Sequence, residues 1–257
     1  MIFPLLSLLL AACSSASAPA TAYPTPRPLS LISVQVGVAP GLIPFESDEE
    51  GQAPLSGFDI DLMNAIAQSA DLEVNYVVVR SGRSQMVNMT AQCKVDVGIS
   101  AVPLMENANP GVLFSQAYFS TRQTLVVKKG NLAIQGRSDL NGMIVAAEKG
   151  VPAESELDAL SGARTRRYET SYLLFQDLIN GYIDAAIADA PHALQYVNVK
   201  PNNLKIVGDA FGSTQYALVV CPQRPELLQK INQALAALNA DGSLAALLEK
   251  WKLQTTP

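Results

Sequence analysis

The sequence predicts an α/β fold made of two successive units, each a mostly parallel sheet flanked by helices. Three observations predict it. Short strand-like runs alternate with helix-like runs from residue 33 onward, and strand–helix–strand alternation favours parallel sheets. Apolar residues make up 49% and charged residues 16%, enough for a sizeable core and too apolar for wholesale disorder. The length, 257 residues, suits one large domain or two small lobes.

Taken in order, residues 34–38 are a β-branched strand that stops at Pro40. Residues 59–70 form a helix, because Ile60, Met63, Ile66, Ala67 and Ala70 share one face. Asp59 reads as its cap. A Val-rich strand over 73–79, a short helix over 84–92 and a buried strand over 95–101 complete a βαβαβ unit. The second unit has strands at 124–128 and 143–147, a turn at Gly150, and a helix over 153–160. A strand at 164–168 and a helix at 171–180 follow, the helix ended by Gly181 at the position after its last turn. Residues 185–188 form a strand with Asp189 at its carboxyl end, and 204–207 and 216–220 are further strands. Two amphipathic helices close the chain. Pro225 opens the first, with Leu227, Leu228, Ile231, Leu235 and Leu238 on one face. Gly242 separates it from the second, which carries Leu244, Leu247, Leu248 and Trp251. In open α/β sheets a ligand binds beyond the carboxyl ends of the strands, so two facing units would make a cleft.

The net charge is −5, with no basic run, which argues against a nucleic-acid partner. His192 is the only histidine. Histidine metal sites and histidine-based catalysis therefore have little material, and no Gly-x-Ser-x-Gly elbow, phosphate loop or cysteine-pair metal spacing is present. No cofactor is expected. Residues 1–12 are an apolar run ending Leu10-Ala11-Ala12 before Cys13, too short to span a bilayer and suited to a signal peptide. The order Leu-Ala-Ala-Cys resembles a bacterial lipobox, in which Cys13 would be acylated; an ordinary signal peptide with an incidental cysteine is the alternative. No Lys or Arg precedes the run. Residues 13–32, with Pro19, Pro24, Pro26 and Pro28 among Ser, Ala and Thr, read as a flexible tether. Cys93 and Cys221 remain, a candidate pair in an exported chain.

Several phrases, in order, resemble the family 3 extracellular solute-binding proteins, the receptors of polar amino-acid ABC transporters. They are Gly57-Phe58-Asp59-Ile60-Asp61-Leu62, Val95-Asp96-Val97-Gly98-Ile99-Ser100, Phe114-Ser115-Gln116-Ala117-Tyr118 and Asp139-Leu140-Asn141-Gly142. Asn180-Gly181-Tyr182-Ile183-Asp184-Ala185-Ala186-Ile187-Ala188-Asp189 and Asp241-Gly242-Ser243-Leu244 through Glu249-Lys250-Trp251 complete the set. The resemblance implies a type II periplasmic binding protein: two lobes joined by two crossing strands, closing on a solute by hinge motion. It implies lobe 1 over 33–121 and 215–257 and lobe 2 over 122–214. It also makes Cys93 and Cys221 ends of antiparallel neighbouring strands, hence a disulfide; two buried free thiols are the alternative. The implied partners are a small solute (an amino acid, amine or related molecule) and ABC permease subunits. A monomer outside the cytoplasm, held to a membrane by lipid on Cys13, is expected.

The pocket positions that the resemblance implies depart from the family's pattern. The usual carboxylate-gripping Arg, about eight residues past Ser100, is matched by Ala108, and its assisting hydroxyl by Pro103. Ser100 and Ala101 hold the strand end beside them. The lobe 2 turn that normally carries hydroxyls reads Gly150-Val151-Pro152. The family's N-terminal Asp and aromatic positions fall on Ala39 and Leu42. Asp189 is kept, and a carboxylate there suits the solute's ammonium group; a helix cap is its alternative role. Arg83 stands where relatives carry a stacking aromatic and offers a carboxylate contact from a new direction, or else is a solvated charge. Phe45 is an apolar wall or core. Glu148 points into the cleft or into water. These departures favour a small polar or cationic solute over a conventionally held amino acid. The competing readings are a sensory or accessory binding module and, less favoured, a periplasmic dehydratase using Glu148, Glu154 or Asp189 as its acid.

Overall fold

The computed structural model of the protein describes residues 31–48, 54–105 and 111–253. Cys13, the apolar run, most of the tether and Ala108 lie outside the described residues.

The first sheet is built from β1 (Ile32–Val38), β2 (Leu72–Val78), β3 (Val97–Gly98), β4 (Leu113–Phe114) and β10 (Val219–Val220). Its order is β2-β1-β3-β10-β4. The β1/β2 and β1/β3 pairings are parallel; β10 runs antiparallel to β3 and β4. Around it pack α1 (Phe58–Ala70), α2 (Arg83–Ala91), α6 (Pro225–Ala240) and α7 (Ser243–Lys250).

The second sheet holds β5 (Phe119–Lys128), β6 (Ile144–Glu148), β7 (Arg164–Tyr168), β8 (Ala185–Asp189) and β9 (Leu204–Tyr216), in the order β7-β6-β8-β5-β9. Its period of two sorts the core onto two faces. Leu125, Val127, Val145, Ala147, Ala185 and Ile187 meet Ala153 and Leu157 of α3 (Pro152–Asp158). Val126, Ala146, Ala186 and Ala188 meet Leu174, Phe175 and Leu178 of α4 (Ser171–Asn180) and Ala193 of α5 (Ala190–Val199). Helix α4 starts where the Thr170 hydroxyl accepts the Leu173 N–H at 3.3 Å, and stops at Gly181 with φ 83°. Strands β5 and β9 join the two halves: Phe119 pairs with Tyr216 beside the first sheet and Lys128 with Leu204 in the second.

The fold class is the one the sequence predicts, with particulars corrected. Each sheet is mixed, with two parallel and two antiparallel pairings, because β5, β9 and β10 run against their neighbours. The 95–101 run contributes only Val97–Gly98 to the ladder. Residues 204–216 are one long strand, and Tyr216 ends it; the next strand begins at Val219. Gly208 and Gly212 adopt φ 69° and 59° within that strand. They interrupt the apolar alternation, and the pairing register slips beside them. Asp59 is not a cap: Gly57 holds the cap position, and the Asp59 side chain turns inward, fully buried. Cys93 and Cys221 are bridged, next to the antiparallel pair β3 and β10.

Candidate functional site

The site lies where strand ends of the two halves face each other. On the first half, Gly57 lets the chain turn back on itself with φ 134°; a Cβ there would stand 2.1 Å from the Phe45 carbonyl oxygen. The close approach lets Phe58 and Asp59 donate their N–H groups to Pro44 and Phe45, both at 2.9 Å. Phe45 is fully buried, edge-on to Phe58, Phe119 and Tyr216 at 5.3–5.8 Å between centroids. It is core beneath the cleft rather than its wall.

The same turn sets Glu46 beside Asp59, both carboxyls buried. Burial raises the Glu46 carboxyl well above its ordinary value, with the Asp59 charge adding to the effect. Burial likewise raises Asp59 to about 7, opposed by the Ala101 N–H and the Tyr118 hydroxyl. By geometry, Glu46 Oε2 and Asp59 Oδ1 have no hydrogen-bond partner, and the Tyr118 hydroxyl, close enough to lower the Asp59 carboxyl, makes no well-shaped hydrogen bond to it. With both carboxyls raised, a proton held between them would supply the donor that these oxygens lack. Asp59 Oδ2 accepts the Ala101 N–H at 2.7 Å and holds Ala101 at φ 41°. The Ala101 carbonyl in turn accepts from Arg83 Nη1 at 3.2 Å. Ser100 is turned to structure: its hydroxyl accepts the Ala39 N–H at 2.8 Å. Pro103 is buried against Tyr216 in a backbone bridge.

On the second half, Asp189 ends β8 and is nearly buried. As the first residue before α5 it makes no side-chain cap. Its carboxylate instead accepts the Tyr216 hydroxyl at 2.6 Å and the Thr214 hydroxyl at 3.2 Å. Burial pushes the Tyr216 hydroxyl well up, helped by the Asp189 charge, so it stays a donor. Gln123 donates to Thr214 from the neighbouring strand. Glu148 ends β6 and accepts the Ser171 hydroxyl. Glu148, Val151, Ser171, Asp189 and His192 line one cavity of about 10 Å³, room for a single water at most. Pro152 is the first residue of α3 and brings no N–H. His192 keeps intermediate exposure by area, yet desolvation and the nearby Arg83 charge push it down to about 3. It is neutral at physiological pH.

Besides the Tyr216–Asp189 hydrogen bond, two side-chain contacts among the described residues cross between the halves. Arg83 Nη2 stands 3.9 Å from Glu148 Oε1. Gln195 on α5 donates to the Gly41 carbonyl at 3.3 Å. A larger depression of about 590 Å³ lies elsewhere, beside Arg137 and Asn141. Arg137 there is paired with Glu156 at 2.8 Å.

The structure therefore brings Arg83, Ala101, Glu148, Val151 and Asp189 to one region, and turns Phe45 and Ser100 inward. Sequence reasoning missed Thr214 and Tyr216 as donors to Asp189, Gln195 as a cross-cleft contact, and the Glu46–Asp59–Tyr118 cluster. Only Asp59 and Tyr118 lie within the phrases that carry the family resemblance, and spacing gave no sign that Glu46 joins them. Among the described residues, no group of three His, Cys, Asp or Glu side chains could hold a metal ion, and no helix is long and apolar enough to cross a membrane.

Residues 34–254 match the sequence model of the bacterial extracellular solute-binding proteins, family 3. The chain is 28% identical over 213 residues to the L-cystine-binding protein TcyJ of Escherichia coli (strain K12), covering 82% of this chain and 79% of that protein. Among solved structures it is similar to an ancestral arginine-binding protein bound to arginine, at 33% identity and TM-score 0.74, covering 85% of this chain and 97% of that one. It is also similar to an ancestral amino-acid-binding protein described as a precursor of cyclohexadienyl dehydratase, at 28% identity and TM-score 0.72, covering 85% and 95%.

Proposed function

Because the chain belongs to the family 3 bacterial extracellular solute-binding proteins, we propose that it is the solute receptor of an ABC uptake transporter and captures an amino acid in the cleft between its halves. The observation that carries the reading is the charged set that faces across the cleft: Asp189 and Glu148 at strand ends on one side, Arg83 at the start of α2 on the other. A carboxylate buried beside two hydroxyl donors suits an ammonium group. Arg83 suits a carboxylate, because a guanidinium offers two parallel donors. It takes over the work for which Pro103, Val151 and Pro152 have no side-chain donors. The solute reaches Asp189 only when the Arg83–Glu148 and Gln195–Gly41 contacts part.

The reading includes a membrane tether through acylated Cys13, an extracytoplasmic location and partnership with a permease. It is a reading of a receptor and not of an enzyme: a dehydratase acting on a dianionic substrate would have to place it against Glu148 and Asp189, with Arg83 alone opposing them. Relatives named for binding cystine and arginine support the amino-acid class.

Titration calorimetry of the purified protein against L-amino acids, polyamines and quaternary amines tests this. Saturable binding of an amino acid is expected, weakened roughly 100-fold or more in Asp189→Asn, since the variant removes the ammonium's charged partner. Absence of binding by every compound, or full binding by the variant, would overturn the proposal.

A further inference from the structure

The inference rests on the receptor reading and concerns what Arg83 leaves behind when a solute binds. Most other groups near the first half's rim are already committed. The Ala101 N–H belongs to Asp59 at 2.7 Å, and the Ser100 hydroxyl to Ala39 at 2.8 Å. Pro103 and Pro152 have no N–H at all. Arg83 is the described cation placed to meet a solute carboxylate. In the structure its Nη2 instead faces Glu148 at 3.9 Å, too long for a hydrogen bond but close enough to balance charge.

One guanidinium cannot balance both carboxylates well. If it turns to the solute, Glu148 loses its counter-charge. The Glu148 side chain is only 21% exposed, and its other oxygen is held by the Ser171 hydroxyl, so bulk water screens it poorly. His192 shares the cavity with Glu148, but its burial and the Arg83 charge keep it neutral. Asp189 adds a second negative charge to the same wall. Behind Arg83 the Glu46–Asp59 pair adds more whenever it ionises. The balancing cation must come with the solute.

We infer that Glu148 is the specificity-determining residue of the cleft, selecting amino acids whose side chain carries a second cationic group, a guanidinium or an ammonium. The α-ammonium goes to Asp189, the α-carboxylate to Arg83, and the side-chain cation to Glu148. A neutral side chain of the same length leaves Glu148 half-buried without a counter-charge. A diamine of similar length leaves Arg83 without an anion and places a second cation next to it.

The test is calorimetry on the full chain with three probes, L-arginine, L-citrulline and cadaverine. Citrulline replaces the guanidinium by a neutral group of the same shape; cadaverine carries two cations and no carboxylate. L-Arginine is expected to bind at least about tenfold tighter than either. In Glu148→Gln the arginine-to-citrulline ratio should fall toward one, with the melting temperature confirming that the variant folds. Citrulline matching arginine in the unaltered protein would overturn the inference, and that comparison stands even if the variant does not fold. So would a ratio unchanged in Glu148→Gln, or cadaverine matching arginine. Failure of all three probes to bind while an amino acid with a neutral or acidic side chain binds would overturn this inference alone. Failure of every amino acid to bind would overturn the receptor reading with it.

Discussion

Glu46 and Asp59 make a testable claim at the scale of single residues, because their titration has a definite sign. Burial raises Asp59 to about 7 from an ordinary 3.8, and Glu46 rises as well. The folded chain therefore holds a proton that the unfolded chain has already released by pH 7. Stability falls as pH rises wherever the folded state binds more protons. The groups facing the pair are Arg83, which lowers both carboxyls, and Tyr118, itself raised well above its usual range by burial. His192 contributes with the opposite sign: held at about 3 against an ordinary 6.5, it adds stability as pH rises toward 6.5 and nothing beyond. The clean window is therefore pH 7 to 9. Urea unfolding there should show stability falling as pH rises, Asp59 contributing just above pH 7 and the raised Glu46 carboxyl beyond it. Glu46→Gln should flatten the upper part of that decline, because Asp59 alone has released its proton by then. A wild-type profile that is level or rising across the window would mean that both carboxyls are ionised in the fold.

Gly57 shows how a turn at the start of one helix determines what the site can do. With φ at 134°, and with any added Cβ falling 2.1 Å from the Phe45 carbonyl oxygen, the position has no room for a side chain. The turn docks Glu46 on Asp59, and Asp59 holds Ala101 for Arg83. Gly57→Ala is expected to cost about 3 kcal/mol or more, combining backbone strain with a backbone clash. Gly181→Ala is the control: φ is 83°, but the nearest group is the flexible end of Lys128 at 3.4 Å. It should cost about 1–2 kcal/mol, the left-handed penalty alone. Equal losses in urea unfolding would show that residues 44–46 slide aside freely. The contrast also marks what was legible in the sequence. Helices α1, α4 and α6 follow apolar periodicity, and Gly181 marks a stop by local chemistry. The role of Gly57 depends on the carbonyl of Phe45, well back along the chain, and no local pattern records it. The same holds for Asp189. Its place at a strand end was readable, but its donors Thr214 and Tyr216 arrive from a strand whose glycines hide its length.

The whole molecule turns on two antiparallel strands. Strands β5 and β9 carry the chain between the halves, with register slips at Thr121/Gln123 and Gln123/Leu125. Irregular pairing bends strands locally, so any movement between the halves is expected to centre here. Besides the Tyr216–Asp189 hydrogen bond at the end of β9, two contacts oppose it, Arg83 with Glu148 at 3.9 Å and Gln195 with Gly41 at 3.3 Å. Neither is strong: one is a long ion pair, the other a neutral hydrogen bond, each worth about 1 kcal/mol or less. A balance so slight should respond to removing both. In Arg83→Ala/Gln195→Ala the open form should gain population, raising the small-angle scattering radius of gyration by on the order of 1 Å against about 18 Å for a compact body of this length. The unaltered protein with saturating solute should show no such rise, because the solute bridges the two halves in place of these contacts. If the double variant keeps the radius of the unaltered protein, closure is held by the strands themselves, and Arg83 and Gln195 are passengers in it.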